Sequence, residues 1–204
     1  MQLNFSEFSS SQRYHLMTQT IIPRPVAWAL TDSDNGSYNL APFSYFTAVS
    51  SEPALLMLSI GKKSNGEDKD TLTNIINNKK IVIHIAATEH AQLVTQTAKT
   101  LAHGESELTD AGLTTTSFEN FDLPRLTDCD IAFACELYEI KQLGDAQQTL
   151  IFVEVKELFI NDAMVTEEEQ GRLKIDAKKV FPLARLGGGE YASITDPFSL
   201  QRPD

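Results

Sequence analysis

Six stretches rich in β-branched, aromatic and other apolar residues constrain the fold of this chain more than any other feature of its sequence. They span residues 26–31, 38–49, 54–60, 81–86, 131–140 and 149–160. The stretch at 131–140 places every second apolar residue on one face, which is typical of a half-buried strand, whereas 54–60 is apolar on both faces and indicates a buried one. The sequence therefore predicts a protein dominated by β-strands.

The signals between these stretches favour antiparallel connections. Asn35-Gly36 is typical of a tight hairpin, and Pro42 interrupts the second stretch, which favours an edge strand or a bulge. Residues 1–20 are polar and predict an irregular segment apart from a short stretch at 14–18. No repeat and no linker divides the chain, so we expect one domain over 1–204, an antiparallel barrel or sandwich with added helices.

The predicted helices are short excursions between strands. Asp70 is a good N-cap for a helix over 71–79, and Thr88 can cap a second helix that runs to about residue 99. The segment 106–112 predicts a single capped turn that a glycine ends. These helices do not alternate regularly with the strands, which disfavours a doubly wound parallel sheet.

Composition excludes several classes of function. The 204 residues include 17 basic and 28 acidic side chains, a net charge of −11, which disfavours binding to nucleic acid or to an anionic membrane surface. The 42% of hydrophobic residues can form a sizeable core, but no apolar run approaches the length that spans a bilayer. The first residues lack a signal-peptide pattern and cysteines are few, so we expect a cytoplasmic protein in a reducing compartment.

Histidines and tryptophan offer weak functional candidates. The four histidines show no metal-ligand spacing, and we expect no metal site. His84, inside an apolar strand, is more typical of a satisfied core group than of a catalyst. His103 lies in a loop and is a better candidate for a site residue. Trp28 is either a core residue or the flank of a planar ligand.

The segment at 59–71 carries the most specific local signal. Lys62, Lys63 and Lys69 gather positive charge in an otherwise acidic chain, directly before a helix whose first amides are unpaired and positively polarised. With the hydroxyl of Thr71, these groups suit one phosphate. The alternative interpretation is a solvated, charged surface loop.

Several motifs occur in an order that resembles the flavin reductase-like family of FMN-binding split-barrel proteins. The motifs are Ile22-Pro-Arg-Pro-Val-Ala-Trp28, Asn39-Leu-Ala-Pro-Phe-Ser-Tyr-Phe46, Glu52-Pro53, Lys69-Asp-Thr-Leu-Thr-Asn74, Gly104-Glu-Ser-Glu107, Ala111-Gly-Leu113, Pro124-Arg-Leu126, Cys135-Glu-Leu137 and Arg185-Leu-Gly-Gly188. Each motif is weak alone, but the ordered set is specific and covers residues 14–191.

The resemblance implies a mainly β fold with short helices, a six-stranded antiparallel Greek-key barrel, and a homodimer that holds FMN without a covalent bond. It implies further which residues contact the flavin. Asn39, Ala41, Ser44 and Tyr45 would lie along the ring and ribityl chain, Ser59, Lys69 and Thr71 around the phosphate, with Arg185 and Gly187 returning to the same pocket. We add His103 to these cofactor-binding candidates.

The same resemblance implies an oxidoreductase that uses NADH or NADPH and passes electrons to a small-molecule redox partner. Because flavin supplies the redox chemistry, such a protein needs few catalytic side chains, and none is assigned. A non-enzymatic flavin-binding or storage protein, and a split barrel of the pyridoxamine-phosphate-oxidase type, are the alternatives. The loop at 61–69 is longer than in the short two-component reductases, and His84 stands where relatives often have asparagine.

Overall fold

The computed structural model describes all residues except 100, 102–104, 146–147, 170, 202 and 204. The strands are β1 (Arg24–Pro25), β2 (Ala27–Asp32), β3 (Tyr38–Phe43), β4 (Phe46–Ser51), β5 (Ala54–Ile60), β6 (Lys80–Ile85), β7 (Thr115–Thr116), β8 (Arg125–Leu126), β9 (Ile131–Leu143), β10 (Gln148–Ile160), β11 (Val165–Glu169), β12 (Arg172–Ile175), β13 (Ala184–Arg185) and β14 (Tyr191–Ala192). The α-helices are α1 (Ser10–Thr20), α2 (Asp70–Asn78), α3 (Ala91–Gln96), α4 (Glu107–Asp110) and α5 (Ala177–Val180). Single 3-10 turns lie at Phe5–Glu7, Thr88–His90 and Asp162–Met164.

A seven-stranded antiparallel sheet with the order β3-β2-β6-β9-β10-β5-β4 forms the body of the protein. Its two edge strands, β3 and β4, are consecutive in the chain and only Ser44 and Tyr45 lie between them. A flat sheet of this size would hold its edges about 29 Å apart, whereas so short a connection spans at most about 11 Å. The sheet therefore curls so that its two edge strands come together at this end. The pairing of β4 with β5 continues through this connection, where the backbone N–H of Ser59 donates to the Tyr45 carbonyl at 2.9 Å.

The six predicted stretches all form strands of this sheet, and the predicted fold class is confirmed. The second stretch forms both β3 and β4, so the seven strands correspond to six runs of sequence, one of them bent at Ser44 and Tyr45. Pro42 lies on an edge strand, as its missing N–H favours. Gly36 has φ +80° in the hairpin between β2 and β3, the conformation that a tight turn requires of it.

The helices differ from prediction by more than one residue in two places. The irregular segment predicted at the amino terminus is wrong beyond residue 9, because α1 runs for 11 residues from a capping box of Ser9 and Gln12. The helix expected after Thr88 is a 3-10 turn followed by the six residues of α3. The short turn α4 is confirmed, with Ser106 as its N-cap and Gly112 at φ +66°.

Two hydrophobic cores lie on opposite faces of β2. Ala27 and Ala29 face one core with residues of β5, β6, β10 and α2, whereas Val26, Trp28 and Leu30 face the other. Trp28 is fully buried and its Nε1–H donates to Thr97 Oγ1 at 2.8 Å, so it is a core residue and does not flank a ligand. Among the described residues, no helix has the length and apolar character needed to cross a membrane.

His84 is a satisfied core histidine, as predicted. Its Nδ1 lies 2.9 Å from the Trp28 carbonyl oxygen, which can only accept, so this nitrogen carries the proton. Its Nε2 accepts the Leu126 N–H at 2.9 Å. Complete burial lowers the pKa of His84 to about 4, against an effect of the Trp28 bond that raises it. The ring joins β2, β6 and β8 as a neutral group.

We expect His84 to make stability fall in acid. Because the histidine pKa is about 4 in the folded chain and 6.5 in the unfolded one, its contribution is complete above pH 6.5 and is lost as the pH falls toward 4. The loss amounts to about 3 kcal/mol. His84→Asn keeps a donor and an acceptor but does not titrate, so urea unfolding at pH 7.5 and 4.5 should show a smaller acid loss in the variant. Equal losses in both proteins would contradict the assignment.

Candidate functional site

Two adjoining cavities open beside the point where the sheet closes. The larger has a volume of about 420 Å³ and the smaller about 250 Å³. They share a wall that includes Pro42, Lys62, Lys69 and Ala98. The larger falls in the volume range of small-molecule sites, and the shared wall makes the two cavities direct neighbours.

The larger cavity is cationic in an acidic protein. Lys62, Lys69 and Arg185 line it, and no carboxylate does among the described residues. The rest of the wall includes Ser44 and Tyr45 of the strand junction, Ser59 of β5 and Tyr14 of α1. This local positive charge opposes the field of a chain with a net charge of −11 and favours an anionic or electron-rich ligand.

Eight of the ten predicted site residues line these cavities. Ser44, Tyr45, Ser59 and Arg185 line the larger, Asn39, Ala41 and Thr71 line the smaller, and Lys69 lines both. Gly187 lines neither cavity, because it packs under α1, and a Cβ at this position would clash with the Gln19 side chain. His103 lies outside the described residues.

Lys69 is the lysine of its loop that remains available to a ligand. Lys62 Nζ lies 2.6 Å from Asp68 Oδ1, and Lys63 Nζ lies 2.8 Å from Asp70 Oδ1, so the predicted cluster of three positive charges is reduced by two ion pairs. No carboxylate within the described parts of the chain lies within 4 Å of Lys69 Nζ. Burial lowers the pKa of Lys69, which means that its charge lacks full solvation and would gain from a bound anion.

Helix α2 begins at this lysine. The predicted cap is one residue off, since Lys69 is the N-cap and Asp70 the first helical residue. The Lys69 side chain makes no capping bond, so its amine is free of a role in the helix. The carbonyl of Lys69 accepts the N–H groups of Leu72 and Thr73, and the amides before them carry the positive end of the helix dipole toward the smaller cavity.

Buried hydrogen bonds fix the hydroxyl of Thr71. Asn39 Nδ2 on β3 donates to Thr71 Oγ1 at 2.9 Å, and both residues are buried. The same Asn39 nitrogen lies 3.5 Å from Thr31 Oγ1, which also accepts from Asn74 Nδ2 at 3.1 Å. Because Thr71 Oγ1 accepts the Asn39 proton, its own proton can point to a ligand in the smaller cavity.

The strand junction presents a buried polar atom that lacks a partner. The Tyr45 hydroxyl is buried and makes no hydrogen bond within the described part of the chain. Burial, reinforced by the nearby Tyr14, raises the pKa of Tyr45. The two rings are 6.0 Å apart, and both line the larger cavity. Since buried hydroxyl groups almost always find a partner, this one is available to a ligand group or to an ordered water.

Arg24 joins three separate segments around the larger cavity, and sequence reasoning assigned it no role. Its Nη1 donates to the carbonyls of Thr18 and Ile21 at the end of α1, at 2.7 and 2.6 Å. Its Nη2 donates to the Leu186 carbonyl at 2.9 Å and its Nε to Ser44 Oγ at 3.3 Å. The Pro-Arg-Pro sequence was the available signal, but partners so distant in the chain could not be read from it.

Arg185 shapes its own loop in addition to lining the larger cavity. Its guanidinium lies 4.6 Å from the centre of the Tyr191 ring and donates to the Glu190 carbonyl at 2.9 Å and to the Gly188 carbonyl. These bonds occupy two of its nitrogens. The residue therefore holds the glycine-rich turn against the cavity.

Glu107 is a second residue that sequence reasoning left without a role. It is 7% exposed and lines the smaller cavity beside Lys69 and Thr71. Its Oε2 accepts the Leu40 N–H at 3.2 Å. Burial raises the pKa of Glu107, although that bond and one from its own amide oppose the shift.

Metal chemistry finds no support in the described residues, where no group of three histidine, cysteine, aspartate or glutamate side chains could hold an ion. Both cysteines are buried and free.

A family model described as the flavin reductase like domain matches residues 17–178 of this chain. The crystal structure of nitrilotriacetate monooxygenase component B from Bacillus cereus has a TM-score of 0.89 to this chain and 32% sequence identity, and 98% of each chain is covered.

Two further crystal structures resemble this chain. The 2-nitrobenzoate 2-nitroreductase NbaA of Pseudomonas fluorescens has a TM-score of 0.87 and 27% identity, over 100% of this chain and 96% of that one. A Shewanella frigidimarina NCIMB 400 protein whose description includes a split barrel domain has a TM-score of 0.85, and the comparison covers 100% of both chains. At 18% identity this last likeness shows the fold alone.

Proposed function

The chain belongs to the flavin reductase-like domain family, and we propose that it is an FMN-binding oxidoreductase whose bound flavin is reduced by NADH or NADPH. Family membership supports flavin-related redox chemistry, and two similar proteins are by name a monooxygenase component and a nitroreductase. The proposal goes beyond family membership in three respects. The cofactor is FMN, the electron donor is a nicotinamide nucleotide, and the electron acceptor is a small molecule.

The single observation that carries FMN is the unpaired, half-buried Lys69. A flavin without phosphate leaves this cation without a counter-ion, whereas FMN brings a phosphate to it. In the proposed complex Lys69, the Thr71 hydroxyl and the first amides of α2 bind the phosphate. Asn39 holds Thr71 in place at 2.9 Å. The smaller cavity thus receives the charged end of the cofactor.

The ring system belongs in the larger cavity in this proposal. There Ser44 and Ser59 offer hydroxyl groups, and the unpartnered Tyr45 hydroxyl gains a hydrogen-bond partner. Ala41 lines the smaller cavity next to Pro42 of the shared wall, along which the ribityl chain would pass. Bound flavin supplies the redox chemistry, and the residues of this chain bind it, orient it and exclude water from its buried edge.

Reduction by a nicotinamide nucleotide separates this proposal from a flavin-storage protein. We expect the FMN-loaded protein, mixed with NADH or NADPH without oxygen, to lose the flavin absorbance near about 450 nm, which belongs to the oxidised cofactor. Stopped-flow absorbance measures this loss. If neither nucleotide reduces the flavin while the protein binds FMN, a storage protein or a split barrel of the pyridoxamine-phosphate-oxidase type becomes the better account.

We expect Lys69→Ala to weaken FMN binding by about 10- to 100-fold, because a charge-assisted hydrogen bond contributes roughly 1.5–3 kcal/mol. Riboflavin lacks the phosphate, so its affinity should change by less than about twofold. Thr71→Val should act in the same direction with a smaller loss. Fluorescence quenching of each flavin by the parent and the variants measures these affinities.

The chain offers a contrast variant in Lys62→Ala. Lys62 lies in the same loop but is paired with Asp68 at 2.6 Å, so its removal should weaken FMN by less than about threefold. Since the Lys69 side chain makes no capping bond, α2 should survive its truncation. Parallel losses of FMN and riboflavin in Lys69→Ala would show a damaged ring site or fold and would contradict the phosphate assignment.

A homodimer is part of the proposal, because C2 dimers are the commonest oligomers and a partner can complete the cover over a large cofactor. Thr47, Ala48 and Val49 on β4 are exposed, which supports the segment 42–49 as a contributor to the interface. Sedimentation velocity should give a dimer, and Val49→Glu should shift it toward monomer. A monomer that binds FMN tightly would contradict this assignment.

We place the protein in the cytoplasm, where its buried free cysteines would stay reduced.

A further inference from the structure

The smaller cavity contains one buried carboxyl group that no cation neutralises. Glu107 is 7% exposed, and among the described residues no lysine or arginine nitrogen lies within 4 Å of its carboxylate. The charged groups around it on neighbouring elements are mostly paired, Lys63 with Asp70 at 2.8 Å and Lys99 with Asp110 at 3.4 Å. Among the described residues that line this cavity, Lys69 and Glu107 are thus the two charged groups without an ion-pair partner.

The local structure holds Glu107 at the wall of the cavity. It is the first residue of α4, and its Oε2 accepts the Leu40 N–H of the edge strand β3 at 3.2 Å. The preceding Ser106 donates its hydroxyl proton to the Tyr38 carbonyl on the same strand. These bonds dock α4 on β3. They require only an acceptor oxygen at residue 107, which an uncharged side chain could supply.

A carboxylate at this place conflicts with a phosphate. Two negative groups in a cavity of about 250 Å³ repel each other, and proximity of like charges favours the protonated form of one of them. Burial already raises the pKa of Glu107 before any ligand is present. Of the two negative groups, we therefore expect the carboxyl to take up the proton. A protonated carboxyl also turns from an acceptor into a hydrogen-bond donor.

Resting on the proposed function, we propose that Glu107 is a residue of the phosphate site that binds FMN as a neutral carboxylic acid and donates its proton to a phosphate oxygen. The proton comes from solvent, so FMN binding at neutral pH takes up a proton while riboflavin binding does not. Above neutral pH, FMN affinity falls, because the carboxyl must be protonated against a rising pH. Glu107 thereby couples cofactor occupancy to pH.

The test compares the wild type with Glu107→Gln, which keeps an oxygen for the Leu40 N–H and an N–H for the phosphate but cannot titrate. FMN is titrated between pH 7.0 and 8.5, above the second pKa of a phosphate monoester, which is about 6. We expect wild-type affinity to fall by about threefold to tenfold per pH unit, tenfold being the limit for one proton. Glu107→Gln should lose this slope and bind FMN more tightly than the wild type at pH 8.5.

Calorimetry in two buffers of different ionisation enthalpy counts the protons directly. The wild type should take up about 0.5 to 1 proton per FMN at pH 7.5, and Glu107→Gln close to none. Deprotonation of Lys69 would also lower FMN affinity as the pH rises, and it would do so equally in Glu107→Gln. The difference between the slopes of the two proteins therefore measures the contribution of Glu107. Glu119→Gln, at an exposed acid that lines neither cavity, should match the wild type.

The outcomes separate this proposal from the proposed function. A wild type that binds no FMN overturns both. FMN binding with no proton uptake, or with the same slope in wild type and Glu107→Gln, overturns the role of Glu107 alone. A Glu107→Gln protein that binds riboflavin normally but FMN more weakly at every pH also overturns it, because the carboxylate would then help the phosphate.

Discussion

The connection of two residues between opposite edges of the sheet governs the rest of the structure. Because β3 and β4 lie at the two ends of the strand order and only Ser44 and Tyr45 separate them, the sheet must curl until its edges meet. The backbone bond from Ser59 N–H to the Tyr45 carbonyl, 2.9 Å, extends the β4–β5 pairing into this connection. Ser44, Tyr45 and Ser59 all line the larger cavity, so the curl that brings the sheet edges together also forms the site.

Short-range charge placement then decides what the site can bind. The chain has a net charge of −11, and ion pairs neutralise most of the lysines near the cavities. Lys69 is the exception, and its half-buried position strengthens any contact with an anion. Arg24 adds a buried cation whose hydrogen bonds hold α1, the strand junction and the Leu186 carbonyl together. An anion is therefore attracted locally in a protein that repels it at long range.

The sequence predicted the strands better than the contacts between them. Alternation and turn residues located all six stretches, and the apolar run at 54–60 matches β5 at both ends. Helix α1 was missed because most of its residues are exposed and it lacks an apolar face, although Ser9 and Gln12 carried a capping-box signal. Local patterns report local structure, and they succeeded wherever burial of one face dictated the residues.

The site was predictable only where local charge or the family motifs marked it. Lys69 and Thr71 stood out because a basic loop enters a helix there, but the pairing of Lys62 and Lys63 depends on side-chain geometry that composition cannot show. Arg24 binds a carbonyl 162 positions away, and Glu107 binds an amide 67 positions away. Such contacts follow from the fold and not from spacing. His84 is the opposite case, because its apolar neighbours in the sequence already indicated a core group.

A crystal structure of the protein grown with FMN tests the central claim most directly, since the claim is an assignment of one cofactor to two adjoining cavities. The account predicts the ring system in the larger cavity against Ser44, Tyr45 and Ser59. It predicts the phosphate in the smaller cavity, with oxygens within about 3 Å of Lys69 Nζ and Thr71 Oγ1. A flavin bound elsewhere, or a phosphate directed away from Lys69 into solvent, would contradict the account.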